Sequence, residues 1–290
     1  MDDALLFLAY LGAAAAGLAL AGALYGPSPT RKGLSLAVSL CLPALAWNIP
    51  ASAPATAGLT AILTALAAFK WVQSHADDDR GGLAYRIWQW TSLFDVRLAR
   101  RARPSLEFGL IARSSAGLAL FAAARFTIQS RPADGVSYLL GVVAVISLAD
   151  AVSGAVRVTH AAFGWKVGPI MDNTFVPKSV ENFWGRRWNR TVSRWLRRIV
   201  FRPTARRYGA LAGLVSAFAV SAAVHFYITC VPLGVTDGLL CGAFFLLQIP
   251  LIVIERRVIP PAARRPYAYA ALLLTAPAFV LPFNAILRGA

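Results

Sequence analysis

The sequence predicts an all-α, polytopic membrane protein with about eight transmembrane helices and a cytoplasmic amphipathic helix. The first observation behind this prediction is composition, since 58% of the 290 residues are hydrophobic and only 14% are charged. A water-soluble domain usually carries about 25% charged residues. The second is that long uncharged stretches separate a few charged ones, as expected when lipid is the solvent. The third is that Lys and Arg are concentrated in every second loop, which is typical of cytoplasmic loops.

Apolar stretches that could cross a bilayer as helices, which takes about 20 residues, occur along the whole chain. The candidates are approximately residues 4–25, 34–50, 57–73, 107–128, 136–156, 208–230, 236–254 and 267–287. The first begins directly after Met1, Asp2 and Asp3. A secretory signal peptide would carry basic residues there, so we expect a retained span. We therefore predict that residues 1–290 form a single membrane domain.

The distribution of basic residues predicts the orientation of the chain. Most of the 29 Lys and Arg residues lie in the first, third, fifth and seventh loops, around Arg31, 80–103, 157–207 and 256–265. The positive-inside rule places these loops in the cytoplasm and both termini outside. Anionic headgroups explain the net charge of +16, so we predict membrane lipids rather than nucleic acid as partners. The Ala- and Arg-rich composition favours a bacterial cytoplasmic membrane.

A basic amphipathic helix is predicted over residues 178–203, between Pro177 and Pro203. On a helical wheel, one arc is apolar and the opposite arc is basic. The apolar arc contains Trp184, Trp188, Val192, Trp195 and Ile199, and the basic arc contains Arg186, Arg187, Arg190, Arg194, Arg197 and Arg198. Such a helix commonly lies on lipid headgroups. Alternatively, the arginines hold an anionic ligand, because a guanidinium donates two hydrogen bonds to a phosphate.

Part of this segment resembles a known family. The run Ser179-Val180-Glu181-Asn182-Phe183-Trp184-Gly185-Arg186-Arg187-Trp188-Asn189 is similar to the signature of the wax synthase family of membrane-bound O-acyltransferases. Three further runs are similar to the family as well: Ser221-Ala222-Ala223-Val224-His225, Leu66-Ala67-Ala68-Phe69-Lys70 and residues 281–288. The resemblance covers about residues 55–290 and is strongest over 178–257. The composition points within the family toward bacterial natural-product acetyltransferases.

The resemblance implies transfer of an acyl group, acetyl or longer, from acyl-CoA to a hydroxyl of a lipophilic acceptor. The family's paired functional residues correspond to Asn189 and His225. The implied acyl-CoA- and substrate-binding residues are Trp184, Arg186, Arg187, Trp188, Arg190 and Arg194. Acyl-CoA or acetyl-CoA is a co-substrate, and no bound cofactor or metal is expected. Many relatives carry an acidic residue after the membrane histidine, where this chain has Phe226.

The position of His225 within an apolar stretch points to function by itself, because ionisable residues inside spans are rare and usually face a cavity or a partner. A packing histidine that bonds a neighbouring helix is the alternative. With an ordinary pKa of about 6.5, a neutral imidazole suits a general base that activates an alcohol. The amide of Asn189 would stabilise the oxyanion, or position either the substrate or His225.

Other polar residues in the spans have simpler interpretations. We expect an ion pair at Asp150 and interhelical hydrogen bonds at Gln248 and Asn284, because polar groups in lipid seek partners on adjacent helices.

The alternative class of function is a small transporter or a lipid-binding membrane protein without catalysis. Transporters often show inverted repeats, and no helix-length repeat stands out in this sequence.

Overall fold

The computed structural model describes residues 3–24, 26, 28–50, 53–76, 82–130 and 134–289, and these are mainly helical. The helices are α1 Asp3–Leu24, α2 Pro29–Ala46, α3 Pro54–Ala76, α4 Leu83–Thr91, α5 Phe108–Gln129, α6 Asp134–Ala162, α7 Val180–Asn182, α8 Arg190–Trp195, α9 Arg202–Tyr208, α10 Ala210–Leu233, α11 Val235–Arg257, α12 Arg264–Thr275 and α13 Pro277–Gly289. Two π-helical turns, Phe183–Arg187 and Leu196–Phe201, flank α8, and 3₁₀ turns occupy Val96–Leu98 and Pro261–Ala263.

Each predicted apolar segment coincides with one helix or, at the C-terminal end, with the pair α12–α13. Among the described residues, four helices are long and apolar enough to cross a membrane: the Pro54–Ser74 part of α3, the Gly135–Ala162 part of α6, α10 and α11. The α12–α13 pair, bent by 48°, makes a fifth if it is counted as one span. These helices agree with a helical membrane protein, whereas eight spans and their sidedness stay predictions.

The predicted membrane domain contains two compact units. Unit 1 comprises Met1–Leu93, Val224–Leu239 and Gly289–Ala290, and unit 2 comprises Phe94–Ala223 and Leu240–Arg288. Helices α10 and α11 each contribute residues to both units.

Hydrogen bonds between helices hold unit 1 together. The hydroxyl of Ser35 in α2 donates to the carbonyl of Ala21 in α1 at 2.7 Å, and the indole N–H of Trp71 in α3 donates to the same hydroxyl oxygen at 3.0 Å. Small residues on these helices, among them buried Ala21 and Ala67, allow the close approach. One shared serine therefore connects three helices.

The α5–α6 pair of unit 2 packs through small residues and one ion pair. A Cβ at Gly154 would overlap the Ser114 hydroxyl, so the backbones approach closely there. The guanidinium of Arg113 in α5 donates two hydrogen bonds to the Asp150 carboxylate in α6, both at 2.7 Å. The ion pair predicted at Asp150 is thus present, but its partner is Arg113 of the neighbouring helix. Arg157, further along α6, pairs instead with Glu107.

A small two-stranded antiparallel ladder adds to the predicted all-α fold. Strand β1, Arg100–Arg101, pairs with β2, Trp165–Lys166. The Arg101 guanidinium lies 4.1 Å from the centre of the Trp165 ring, a cation–π contact. The ladder connects the polar segment before α5 to the one after α6.

Candidate active site and an apolar cavity

The segment that carries the family-like motif, Ser179–Asn189, is a broken helix. The Ser179 hydroxyl caps α7 by accepting from the Asn182 N–H at 2.9 Å. A π-helical turn follows over Phe183–Arg187, after which Trp188 is extended and Asn189 is left-handed, with φ 35° and ψ 65°. The single amphipathic helix predicted for 178–203 is therefore interrupted, because Asn189 adopts a conformation that Asn tolerates better than most residues.

Trp184 points into unit 2 instead of toward lipid headgroups. Its indole N–H donates to the Gln248 side-chain oxygen at 3.1 Å. The Gln248 amide nitrogen in turn donates to the Thr275 hydroxyl at 3.2 Å, which confirms the predicted interhelical bonding of Gln248. The Trp184 ring contacts Phe218 and Phe244, with centroids 6.0 and 5.8 Å away. The aromatic side of the motif segment thus packs against helices α10, α11 and α12.

Glu255, near the end of α11, anchors the beginning of the same segment. It is buried, and its carboxylate accepts hydrogen bonds from the backbone N–H groups of Val180 and Glu181. The first N–H groups of a helix have no partner inside the helix and favour negative charge. The sequence interpretation missed this residue. Its position in the sequence could have identified it, because Glu255 is an acidic residue at the end of an apolar stretch, directly before Arg256.

A second contact between the motif segment and α11 joins Glu181 and Arg256. The Arg256 guanidinium donates two hydrogen bonds to the Glu181 carboxylate, at 3.0 and 2.8 Å. The hydrogen bond from Arg256 lowers the pKa of Glu181 below its ordinary value of 4.5, and partial burial opposes this shift. The carboxylate therefore stays ionised at neutral pH.

Two of the arginines predicted to bind substrate hold the loop before the motif. Arg187 donates to the Asn182 side-chain oxygen at 2.6 Å and to the Asn173 carbonyl at 2.8 Å. Arg190 forms an ion pair with Asp172 at 2.8 Å. These contacts give Arg187 and Arg190 structural roles that the helical wheel did not predict.

The other two predicted arginines differ in their surroundings. Arg186 is exposed. Arg194 is half-buried, and its pKa is lowered, first by burial and then by the charge of Arg190, with Asp95 acting in the opposite direction. A half-buried arginine beside a second arginine is well placed to receive an anionic group.

Asn189 caps helix α8. Its side-chain oxygen accepts from the Val192 N–H at 3.2 Å, as expected for an N-cap asparagine. The cap uses the oxygen, so the amide nitrogen is the group of Asn189 that can donate to a substrate. Asn189 belongs to unit 2.

His225 lies in α10 and belongs to unit 1. It is half-buried. Two residues further along, the Tyr227 hydroxyl donates to the Pro43 carbonyl at 2.8 Å and lies 3.1 Å from the Thr64 hydroxyl. Tyr227 thus fixes this turn of α10 against α2 and α3. The predicted pairing of His225 with Asn189 stays a prediction.

His160 has a structural environment. Its Nδ1 lies 2.7 Å from the Val156 carbonyl, and its ring packs edge-on against Phe94 with centroids 4.7 Å apart.

A cavity of about 210 Å³ lies within unit 2 beside the motif segment. Two of the predicted binding residues, Trp184 and Trp188, line it together with Phe183. The rest of the wall comes from α6, residues 174–177, Phe244 of α11 and the α12–α13 pair. Its lining is almost entirely apolar, as expected for a lipophilic ligand. Within the described ranges, no group of three or more His, Cys, Asp or Glu residues could hold a metal ion.

The fold and this cavity define a helical membrane protein with an apolar pocket beside a Trp- and Arg-rich segment. Residues 165–247 match the sequence profile of the membrane bound O-acyl transferase family. The probable long-chain-alcohol O-fatty-acyltransferase 7 of Arabidopsis thaliana is 36% identical over 78 residues, which cover 23% of this chain and 23% of the plant protein. These matches confirm the resemblance to wax synthase-like membrane-bound O-acyltransferases. The segment that matches the profile contains Asn189 and His225.

Proposed function

We propose that this protein is a membrane-bound O-acyltransferase that moves an acyl group, acetyl or longer, from acyl-CoA to a hydroxyl of a lipophilic acceptor. The observation that carries the proposal is the family match over 165–247, which includes the motif segment, Asn189 and His225. The apolar cavity lined by Trp184 and Trp188 of the motif adds support, since a lipophilic acceptor needs such a pocket.

His225 is the general base of the proposed reaction. Its neutral imidazole takes the proton of the acceptor hydroxyl while the oxygen attacks the thioester carbonyl. The tetrahedral intermediate then expels the coenzyme A thiolate, which takes the proton from the imidazolium and leaves as the thiol. The ester of the acceptor is the other product. The transfer needs no acyl-enzyme, because the acceptor oxygen attacks the thioester directly.

Asn189 supplies the oxyanion donor in this proposal. Its side-chain oxygen is held by the Val192 N–H, so the amide nitrogen has a fixed direction. A preorganised donor stabilises the charge that develops in the transition state. Its removal typically slows the chemical step by about 10²- to 10³-fold.

Arginines of the motif segment and of the helix that follows bind the phosphates of coenzyme A. Arg186 is exposed, and burial, followed by the charge of Arg190, lowers the pKa of Arg194. Both would gain from a phosphate partner. Arg187 and Arg190 contribute by holding the Asp172–Asn173 loop.

The test is an assay of the purified protein in lipid nanodiscs. Acyl-CoA donors from acetyl to palmitoyl are combined with a panel of lipophilic alcohols, and free thiol and ester are measured by absorbance and mass spectrometry. We expect both products in equal amounts from at least one pair, and at least about 10²-fold slower formation of both by the His225→Gln variant. Movement of alcohol or lipid across vesicles without thiol release from any pair would favour a transporter and contradict the proposal.

A further inference from the structure

We propose that the unit 2 cavity binds the acceptor, as a neutral alcohol with roughly eight carbon atoms whose oxygen accepts a hydrogen bond from the Thr174 hydroxyl. This inference rests on the proposed function and names the substrate class and a binding residue for it.

Thr174 is the polar group that points to a ligand. It lines the cavity, it is only 4% exposed, and its hydroxyl has no hydrogen-bond partner within the part of the chain that the structure describes. Buried hydroxyls in proteins are nearly always bonded, so such a group calls for a partner from a bound molecule. A ligand oxygen inside the cavity would supply that partner.

The loop around Thr174 is held in place from both sides. Asn173 has a φ of 48°, and its carbonyl accepts from Arg187 at 2.8 Å. The Phe175 carbonyl accepts from the Tyr269 hydroxyl at 2.9 Å. Thr174 is therefore presented by a fixed loop.

The lining restricts the ligand to a neutral molecule. Among the described residues, no charged side chain lines the cavity, and an unpaired charge in such an environment is strongly unfavourable. The polar ends of two other lining residues are already bonded, since Trp184 donates to Gln248 and Tyr269 donates to the Phe175 carbonyl. An unpartnered hydroxyl in an otherwise apolar lining matches an alcohol with a hydrocarbon body.

The volume sets the size of that body. A 150 Å³ engineered apolar cavity holds benzene, so about 210 Å³ holds, in proportion, roughly eight carbon atoms. A hydroxyl oxygen has two lone pairs and one proton. If the Thr174 hydroxyl donates to one of these lone pairs, the substrate alcohol keeps its own hydroxyl proton. That proton is then available to the general base.

The experiment measures binding without any acyl donor. The probes are 8-bromo-1-octanol and 1-bromooctane, whose bromine quenches tryptophan fluorescence when it lies near Trp184 and Trp188. Because the second probe lacks the hydroxyl, the pair isolates the contribution of Thr174. We expect saturable quenching by both probes, with tighter binding of the alcohol.

Two pairs of variants test the site. Thr174→Val should weaken binding of the alcohol about three- to tenfold, as expected for one lost hydrogen bond. The same variant should bind 1-bromooctane with unchanged affinity. Thr174→Ser keeps the hydroxyl and should bind both probes like the wild type. Val145→Phe should abolish saturable binding of both probes, because Val145 lines the cavity. The matched control is Val143→Phe on the same helix, since Val143 is not among the lining residues of the described structure.

The outcomes separate this inference from the proposed function. Unchanged binding of both probes by Thr174→Val and Val145→Phe, in variants that melt like the wild type, overturns the assignment even if the protein is an active acyltransferase.

In the enzyme assay, Thr174→Val should raise the KM for octanol and leave the KM for acyl-CoA unchanged. A raised KM for acyl-CoA alone would assign the cavity to the acyl chain and overturn the proposal. The predicted binding changes without any acyl transfer would support the cavity and contradict only the function.

Discussion

The indole N–H of Trp184 donates a hydrogen bond to the side-chain oxygen of Gln248 at 3.1 Å. Gln248 is fully buried in α11, so this bond ties the motif segment to a span. Replacing Gln248 with Leu should lower the free energy of unfolding by about 1–3 kcal/mol, because the half-buried indole N–H of Trp184 loses its acceptor. Chemical denaturation in detergent measures the change.

The control for that substitution is Leu247→Ala on the same turn. Leu247 is 47% exposed, so its truncation should have a smaller effect. If Gln248→Leu is no less stable than the wild type, the Trp184–Gln248 bond does not anchor the segment.

Glu255 should be necessary for the start of the motif segment. In Glu255→Ala the backbone N–H groups of Val180 and Glu181 lose their acceptor, and we expect a loss of at least about 2 kcal/mol. Glu255→Gln keeps one acceptor oxygen and should lose less. Amide hydrogen exchange at Val180 and Glu181 reports the change locally. Equal protection in all three proteins would contradict the anchoring role.

Asn189 offers a test that separates folding from catalysis. Asn189→Asp keeps an oxygen for the Val192 N–H and places a negative charge at the start of α8, where it is favourable, but it removes the amide donor. We expect wild-type thermal stability and a kcat reduced about 10²-fold or more. Asn189→Gly keeps the left-handed backbone but loses the cap and the donor. If Asn189→Asp retains full activity, the side chain is only a cap.

The Glu181–Arg256 pair should give a small pH-dependent contribution to stability. The pKa of Glu181 is lower in the folded protein than its ordinary 4.5, so the contribution is present above about pH 4.5 and is lost as the pH falls through the lowered pKa. The pair is 53% and 39% exposed, which limits its contribution to less than about 1 kcal/mol. The difference in unfolding free energy between wild type and Glu181→Gln should therefore vanish in acid. A difference that grows on acidification would contradict this sign.

Continuity of apolar residues predicted the helices well, because a helix that crosses lipid must be apolar along its whole length. The same reasoning predicted interhelical bonds for isolated amides in the spans. Gln248 bonds Thr275, and the Asn284 side-chain nitrogen donates to the Ser137 carbonyl at 3.0 Å. In both cases a polar group in an apolar surrounding had few alternatives to a neighbouring helix.

The motif segment could not be predicted in the same way. A helical wheel assumes one continuous helix, whereas the left-handed backbone of Asn189 redirects the chain. The wheel also gives no information on what an aromatic arc contacts, and Trp184 packs on Phe218 and Phe244. The role of Glu255 and the cavity at Thr174 depend on residues far apart in the sequence, so no local pattern contains them.

Tyr227 provides the matched control for the base. Tyr227→Phe removes the hydroxyl that bonds the Pro43 carbonyl and should reduce stability by about 1 kcal/mol while acyl transfer continues. This variant shows what a purely structural change in the same turn of α10 does to the rate.

The most direct test of the central claim is the rate of acyl transfer by His225→Gln in nanodiscs, measured as thiol release under saturating acyl-CoA and alcohol. The account predicts a kcat reduced about 10²- to 10⁴-fold, with thermal stability and 8-bromo-1-octanol binding like those of the wild type. A kcat within about twofold of the wild type, in a variant with unchanged stability, would show that His225 is not the base.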